Sequence, residues 1–189
     1  MGKPAASLTR LVEALHRVTG ETADAGTIVN ALSGPVGEAA RAKDWVEERY
    51  FKCDPDQGFG VHLLHEEPDH SLAVLAVAWL PGCSAPVHDH GTWAVVGGVA
   101  GVERNRHWRR TDDGTRPGYA EVREIGEDLI GPGEVLAMLP GAIHSVSNET
   151  DGITLSLHVY GKHPNYTERS QFDAEAKTEK TFRFKQEEP

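Results

Sequence analysis

From Phe59 onward, the chain is a series of short apolar runs separated by clusters of Gly, Pro and Asp. The runs are rich in Val, Leu and Ile and lie at 61–66, 71–80, 94–100, 121–125, 134–139 and 153–160. Many short strands at regular spacing are typical of an all-β sandwich or barrel, because βαβ units would need helical patterns between the strands. The spacing therefore predicts an all-β core that begins at Phe59.

The residues before this core have a helical pattern. Apolar residues recur at the i, i+3, i+4, i+7 spacing of one helical face, at Leu8, Leu11, Val12, Leu15 and Val18. A second helix is predicted from about Pro35 to Tyr50, with Trp45 and Val46 on its apolar side. Since 189 residues is the size of one domain, we expect segment 1–58 to pack on the barrel.

The end of the chain is polar. Residues 173–189 are predicted to form a C-terminal tail along the surface, partly disordered from Ala176 onward, because they are rich in charged residues.

The net charge limits the partners expected for this protein, and the cysteine content indicates its redox compartment. The formal net charge is −10, from 29 acidic and 19 basic residues. Such a surface repels phosphate backbones and anionic lipids, so neither nucleic acid nor a membrane is expected as a partner. No apolar run approaches the ~18 residues of a membrane span. Cys53 and Cys83 cannot form a disulfide framework, which favours a reduced, cytoplasmic setting. The sequence leaves the oligomeric state open.

His88 and His90 lie two residues apart in the segment PGCSAPVHDHGTW. On a strand, both imidazoles point to the same face, with Cα atoms roughly 6.5 Å apart, so they can converge on one ion. An isolated pair of this kind is equally consistent with two solvent-facing histidines on an edge strand. The remaining evidence for a metal site therefore has to come from elsewhere in the chain.

A second block, GPGEVLAMLPGAIHSVSN, supplies one more histidine at fixed offsets from two glycines and an asparagine. Together the two blocks resemble the two motifs of the cupin superfamily. Gly82, His88, His90 and Gly101 match the first motif, and Gly133, Gly141, His144 and Asn148 match the second. The resemblance implies a double-stranded β-helix (a jelly-roll barrel) with one metal ion on His88, His90 and His144. His16, His65, His70 and His107 are predicted to be surface residues.

The first motif departs from the superfamily pattern at its glutamate, whose place falls at Ala94 or Val95. Neither side chain can bind a metal, so the site is expected to offer three neutral imidazoles and no carboxylate. Such a site favours an anionic donor such as a thiolate from the substrate. Imidazole suits iron, zinc, copper and nickel alike, so the donor set does not choose the metal.

Ser156, His158 and Tyr160 alternate with apolar residues in the segment SLHVYG. On a strand they share one face, which is either the solvent face of the sheet or the inside of the barrel. In the second case the hydroxyl, imidazole and phenol would form a hydrogen-bonded relay.

The segments PVHDHGTW, LPGAIHSVSN and SLHVYG resemble the thiol dioxygenase family of the cupin superfamily, which includes cysteine dioxygenase and bacterial 3-mercaptopropionate dioxygenase. The resemblance covers about residues 59–172. It implies iron(II) on the three histidines, a Ser156–His158–Tyr160 relay beside it, and conversion of a thiol to its sulfinic acid with O2. Some members also cross-link a cysteine to the relay tyrosine, but no cysteine stands at that position here, so Tyr160 is predicted to be unmodified.

The carboxylate-binding residue separates members of this family. Enzymes of the mammalian cysteine type resemble each other in an arginine about 26 residues before the first ligand, where this chain has His62. Mercaptopropionate-type enzymes instead have an arginine eleven residues after the relay histidine, and Arg169 stands there. The resemblance therefore implies substrate binding by Arg169 and His62, with 3-mercaptopropionate favoured and cysteine or mercaptosuccinate as alternatives.

Two other functions remain open from the sequence. One is a cupin that binds a metal or a small molecule without turnover. The other is a different cupin enzyme, such as an isomerase or a dioxygenase that acts on carbon, which would not need the Ser156–His158–Tyr160 alignment. In each case Val96, Val99 and Leu155 are expected to pack the barrel, and Trp79 and Trp93 to lie in the core or border the pocket.

Overall fold

Two helices precede eleven strands in residues 5–187, which are the residues that the computed structural model describes. Residues 1–4 of the predicted helical segment and residues 188–189 of the predicted tail lie outside this range. The helices are α1 (Ala6–Glu21) and α2 (Ala25–Ala42), and single 3-10 turns lie at Glu48–Phe51 and Pro164–Tyr166. The strands are β1 (Phe59–Glu66), β2 (Ala73–Trp79), β3 (Val87–His88), β4 (Ala94–Ala100), β5 (Glu103–Arg110), β6 (Val122–Ile130), β7 (Val135–Met138), β8 (Ile143–Ser147), β9 (Thr154–Tyr160), β10 (Ser170–Asp173) and β11 (Thr178–Thr181).

The strands form two antiparallel sheets, and the chain winds back and forth between them. The first sheet has the order β1-β2-β9-β4-β7 and the second the order β11-β10-β3-β8-β5-β6. From β2 to β10, the connections alternate between the sheets, except for the β5–β6 hairpin within the second sheet. This winding is that of a jelly roll. The predicted fold class, a cupin-type double-stranded β-helix with N-terminal helices, is confirmed.

The helices cover the outer face of the first sheet. Leu155, Leu157 and Val159 of β9 are fully buried in the same apolar cluster as Leu15 and Leu32 of the helices. Burying each such side chain contributes about 1.5–3 kcal/mol. Because this face is occupied by apolar contacts, the alternate residues of β9 must point into the barrel.

The second helix begins and ends earlier than predicted. It starts after Asp24, whose carboxylate accepts a hydrogen bond from the Thr27 amide (2.8 Å), and Pro35 lies inside it. The predicted start at Pro35 is therefore wrong, because Asp24 supplies an N-cap that the pattern did not reveal. Lys43, with a φ of 55°, ends the helix, so Trp45 packs into the core from the following loop.

The segment predicted to be a polar tail continues the barrel. β10 pairs with β3, and β11 pairs with β10. Beyond β11, Phe182 and Phe184 point inward while Arg183 and Lys185 are exposed, which is the alternation of an extended chain on a barrel. Among the described residues, no helix is both long and apolar enough to span a membrane.

Candidate metal centre

Three histidines from the second sheet converge inside the barrel. His88 lies on β3, His90 follows two residues later, and His144 lies on β8 directly opposite His88. Their ring centroids are 4.6–5.0 Å apart, and no side chain of the three is more than 5% exposed. The structure therefore brings together the three residues predicted to hold a metal.

Hydrogen bonds behind two of the rings orient them toward a common point. Nδ1 of His88 lies 2.8 Å from the carbonyl oxygen of Pro86, and Nδ1 of His144 lies 3.1 Å from Oδ1 of Asn105. Both oxygens are acceptors, so each Nδ1 carries the proton and each Nε2 keeps a lone pair for an ion. Nε2 of His144 in turn lies 3.3 Å from Nε2 of His90.

The electrostatics of the pocket keep these imidazoles neutral. Burial lowers the pKa of His88 to about 3, with a smaller contribution from Arg169, and burial also holds the pKa values of His90 and His144 well below their usual range. Neutral imidazole is the form that binds a metal. Three neutral nitrogen donors fit a divalent transition-metal ion, and among residues 5–187 no acidic side chain lines the pocket.

The position of the missing glutamate is occupied by an apolar side chain. Ala94 on β4 is fully buried on the pocket side of the first sheet, and Val95 points the other way, toward the helices. A glutamate at this position of β4 would thus place its carboxylate in the barrel interior. Because the residue is alanine, β4 contributes no carboxylate there.

Ser156, His158 and Tyr160 form a continuous chain of hydrogen bonds inside the barrel. Oγ of Ser156 lies 2.9 Å from Nε2 of His158, and Nδ1 of His158 lies 2.8 Å from the Tyr160 hydroxyl. The Tyr160 ring contacts the His90 ring, with centroids 5.2 Å apart. Of the two orientations left open by the sequence, the structure has the inward one, and the chain ends beside the histidines.

Arg169 brings a buried positive charge into the same pocket. The residue immediately precedes β10, is 3% exposed, and has its guanidinium over the rings of Phe182 (4.2 Å) and Phe184 (4.9 Å). Its Nε donates weakly to the Phe182 carbonyl (3.4 Å), while its Nη2 has no partner among the described residues. Burial lowers the pKa of Arg169 to about 10, so the group remains a cation at neutral pH.

His62 does not reach this pocket, and the predicted placement in the substrate site is corrected. Its Nε2 lies 2.9 Å from the carbonyl oxygen of Lys52, and its ring packs against Tyr50 on the outer side of β1. Adjacent residues of a strand face opposite sides, so Val61 lines the pocket instead.

Several residues of the site were not predicted from the sequence. Phe182 and Phe184 close one wall of the pocket, and Asn105 supports His144 from β5. Trp79 lines the pocket, which is one of the two places expected for it, and its buried Nε1 has no hydrogen-bond partner within residues 5–187. Trp93 packs instead in the core beneath the helices. The alternation of Phe182 and Phe184 with charged residues was a readable signal of an extended segment on the barrel.

Glu103 is a fully buried carboxyl group near the far end of the Ser156–His158–Tyr160 chain. Its Oε1 accepts a hydrogen bond from Thr154 (3.1 Å), and burial raises its pKa from 4.5 to about 7. Because the folded state favours the neutral form, this group's stabilisation is present below pH 4.5 and is lost as the pH rises through 7.

We expect Glu103→Gln to remove this pH dependence. Between pH 5 and pH 8, the free energy of unfolding of the wild type should fall relative to the variant by on the order of 3 kcal/mol. Urea denaturation of both metal-free proteins at the two pH values measures the difference. An equal change in wild type and variant would show that folding does not shift the pKa of Glu103.

Comparisons with solved structures find proteins that are similar to this chain at low sequence identity. No protein-family model matches the chain. It is similar to oxalate oxidase in complex with the substrate analogue glycolate, at 16% identity and a TM-score of 0.47, over 63% of this chain and 60% of that one. It is also similar to a protein from Thermus thermophilus, at 21% identity and a TM-score of 0.45, over 63% of this chain and 98% of that one. A third is the Cupin_2 domain of an XRE family transcriptional regulator from Enterobacter cloacae, at 14% identity and a TM-score of 0.40, over 57% of this chain and 99% of that domain. The chain thus spans 60% of the length of the oxalate oxidase chain.

Proposed function

We propose that this protein is an iron(II)-dependent thiol dioxygenase of the cytoplasm that oxidises a small mercapto-carboxylic acid to its sulfinic acid. The reaction is R–SH + O2 → R–SO2H, in which both oxygen atoms end on sulfur. 3-Mercaptopropionate is the favoured substrate, because the chain has Arg169 at the position that mercaptopropionate-type enzymes use and lacks the arginine of the cysteine type.

The observation that carries this proposal is the buried guanidinium of Arg169 beside the three histidines, whose Nη2 has no partner among the described residues. A buried charge without a partner is costly, so its retention implies an anionic group that arrives with the ligand. A carboxylate is the natural partner, because its two oxygens accept parallel hydrogen bonds from the planar guanidinium. The aromatic rings of Phe182 and Phe184 pack against that guanidinium, and Arg169 is 3% exposed.

Arg169 would recognise the carboxylate of the substrate, and the three histidines account for recognition of its thiol. Three neutral imidazoles without a carboxylate favour an anionic sulfur ligand over a neutral one. His88, His90 and His144 would hold iron(II), which would give the substrate thiolate a binding position and relay to O2 the electrons that the sulfur gives up. A molecule with a thiol at one end and a carboxylate at the other matches both parts of the pocket.

The hydrogen-bond chain gives Tyr160 a defined role. Burial raises the pKa of Tyr160 and lowers that of His158 to about 3, so the phenol keeps its proton and the imidazole is neutral. When the Ser156 hydroxyl donates to Nε2 of His158, Nδ1–H of His158 donates to the Tyr160 oxygen. The Tyr160 O–H is then free to donate into the pocket, to the substrate carboxylate or to the reacting oxygen.

Oxygen uptake by the iron(II)-loaded full chain tests the proposal, with 3-mercaptopropionate, cysteine and mercaptosuccinate side by side. We expect one O2 consumed per sulfinate formed, fastest with 3-mercaptopropionate, and a kcat about 100-fold lower in Tyr160→Phe. No uptake with any thiol, despite bound iron, would favour a cupin that binds without turnover. An unchanged rate of thiol oxidation in Tyr160→Phe would remove Tyr160 from the reaction.

A further inference from the structure

A second group of metal-ligating side chains lies outside the barrel, where α1 meets the hairpin of β1 and β2. His16 comes from α1, His65 from the end of β1, and Glu67 from the residue directly after β1. None of the three lines the pocket of the histidine centre. Two imidazoles and one carboxylate are a donor set that protein zinc sites use, with the fourth position open to water.

The three side chains already meet at one atom. Oε1 of Glu67 lies 2.6 Å from Nε2 of His16 and 2.9 Å from Nε2 of His65. The two imidazole rings stand edge to face, with centroids 6.1 Å apart. The ligand atoms of all three residues lie within 4.8 Å of one another. Both imidazoles thus direct Nε2 at the place where the carboxylate oxygen lies.

The backbone beneath this cluster is held in place on both sides. Leu15 and Val18, on either side of His16, are buried in the core, which fixes that turn of α1. The amide of Glu67 donates to the Leu72 carbonyl (3.0 Å), which closes the hairpin. His65 and Glu67 are two residues apart on extended chain, so their side chains leave on the same side.

The ends of the side chains are accessible to an ion from solution. The side chains of His16, His65 and Glu67 are 53%, 31% and 26% exposed. The acidic net charge of the chain, −10, attracts cations to the surface as well.

We propose that His16, His65 and Glu67 form a second metal site, which binds a divalent transition-metal ion such as Zn²⁺ and ties α1 to the β1–β2 hairpin. Tetrahedral zinc with ligands at about 2.1 Å holds them roughly 3.4 Å apart. The two O–N separations widen by less than about 1 Å to reach this value, which rotation of the half-exposed side chains allows. An ion at this seam binds the folded chain alone and therefore stabilises it.

Zinc stoichiometry of the metal-free full chain tests the site, measured by equilibrium dialysis at micromolar free Zn²⁺. We expect two ions per wild-type chain, one in the barrel and one at the seam, and the loss of one ion in both His16→Ala and His65→Ala. The rise in the unfolding temperature on adding Zn²⁺ should be smaller in both variants. His70→Asn is the matched control, because His70 pairs with Glu66 in the same hairpin without completing a triad. Asparagine also tolerates the positive φ (63°) of residue 70.

Two results would overturn the second site. One is a wild-type count of one ion that His16→Ala does not reduce. The other is a count of two that persists in both His16→Ala and His65→Ala. In either case the cluster would be a hydrogen-bonded contact between α1 and the hairpin and no more. Thermal unfolding of the variants in a chelator separates the loss of a ligand from a loss of folding. None of these outcomes depends on the oxygenase activity.

Discussion

Replacing His144 with alanine is expected to weaken metal binding in the barrel by at least about 100-fold and to abolish oxygen uptake. His144 is the ligand that the fold holds most firmly, since it is 1% exposed, paired across strands with His88, and hydrogen-bonded through Nδ1 to Asn105. Without its Nε2, two nitrogens remain. They hold an ion weakly, because no acidic side chain among the residues described lines the cavity to replace the third ligand.

Metal analysis after dialysis against iron(II), together with oxygen uptake, measures the effect. His62→Ala is the matched control, because His62 is also a buried histidine near the barrel but points away from the pocket. It should retain both iron and activity. Full iron binding by His144→Ala would place the ion elsewhere, and loss of activity in His62→Ala with iron retained would restore that residue to the substrate site.

The barrel and its histidine triad could be predicted because the glycines and histidines match the spacing of the two cupin motifs, and the structure shows why the glycines are needed. Gly101 has a φ of 70°, and a Cβ there would lie 2.6 Å from the Thr154 side chain. Gly133 has a φ of 84°, and a Cβ there would lie 2.8 Å from Arg41. Only glycine combines a positive φ with the absence of a Cβ at these two positions. The spacing of the two glycines relative to His88, His90 and His144 therefore carries structural information.

Other parts of the structure could not be predicted from the local sequence pattern. β5 has the sequence ERNRHWRR, in which the inward positions are Glu103 and Asn105, so its buried face is polar and gives no apolar alternation. His62 illustrates a second limit, since an offset from a ligand cannot tell which of two adjacent strand residues faces inward. A one-residue difference in register exchanges Val61 for His62. Phe182 and Phe184, the aromatic partners of Arg169, lie in a segment whose alternation indicates an extended chain, but only tertiary contacts place that segment beside Arg169.

Replacing Arg169 with glutamine is expected to raise KM for 3-mercaptopropionate about 10- to 100-fold. A hydrogen bond to a charged group contributes about 1.5–3 kcal/mol, and each 1.4 kcal/mol is about tenfold in affinity. 2-Mercaptoethanol, which has the thiol but no carboxylate, should react equally well with wild type and variant. Arg169→Lys keeps the charge but not the planar guanidinium. Its KM for 3-mercaptopropionate should therefore lie between those of the wild type and Arg169→Gln.

Arg183→Gln is the control for this measurement, because Arg183 belongs to the same segment but is exposed and donates to the Phe182 carbonyl. It should leave KM unchanged. Since Nη2 of Arg169 lacks a partner in the described chain, its removal relieves a buried charge, and we expect Arg169→Gln to unfold at the same temperature as wild type or higher. A stable variant with a raised KM for the carboxylate substrate alone would mean that the pocket retains the charge for its ligand. An equal loss with 2-mercaptoethanol would mean instead that Arg169 supports the architecture of the pocket.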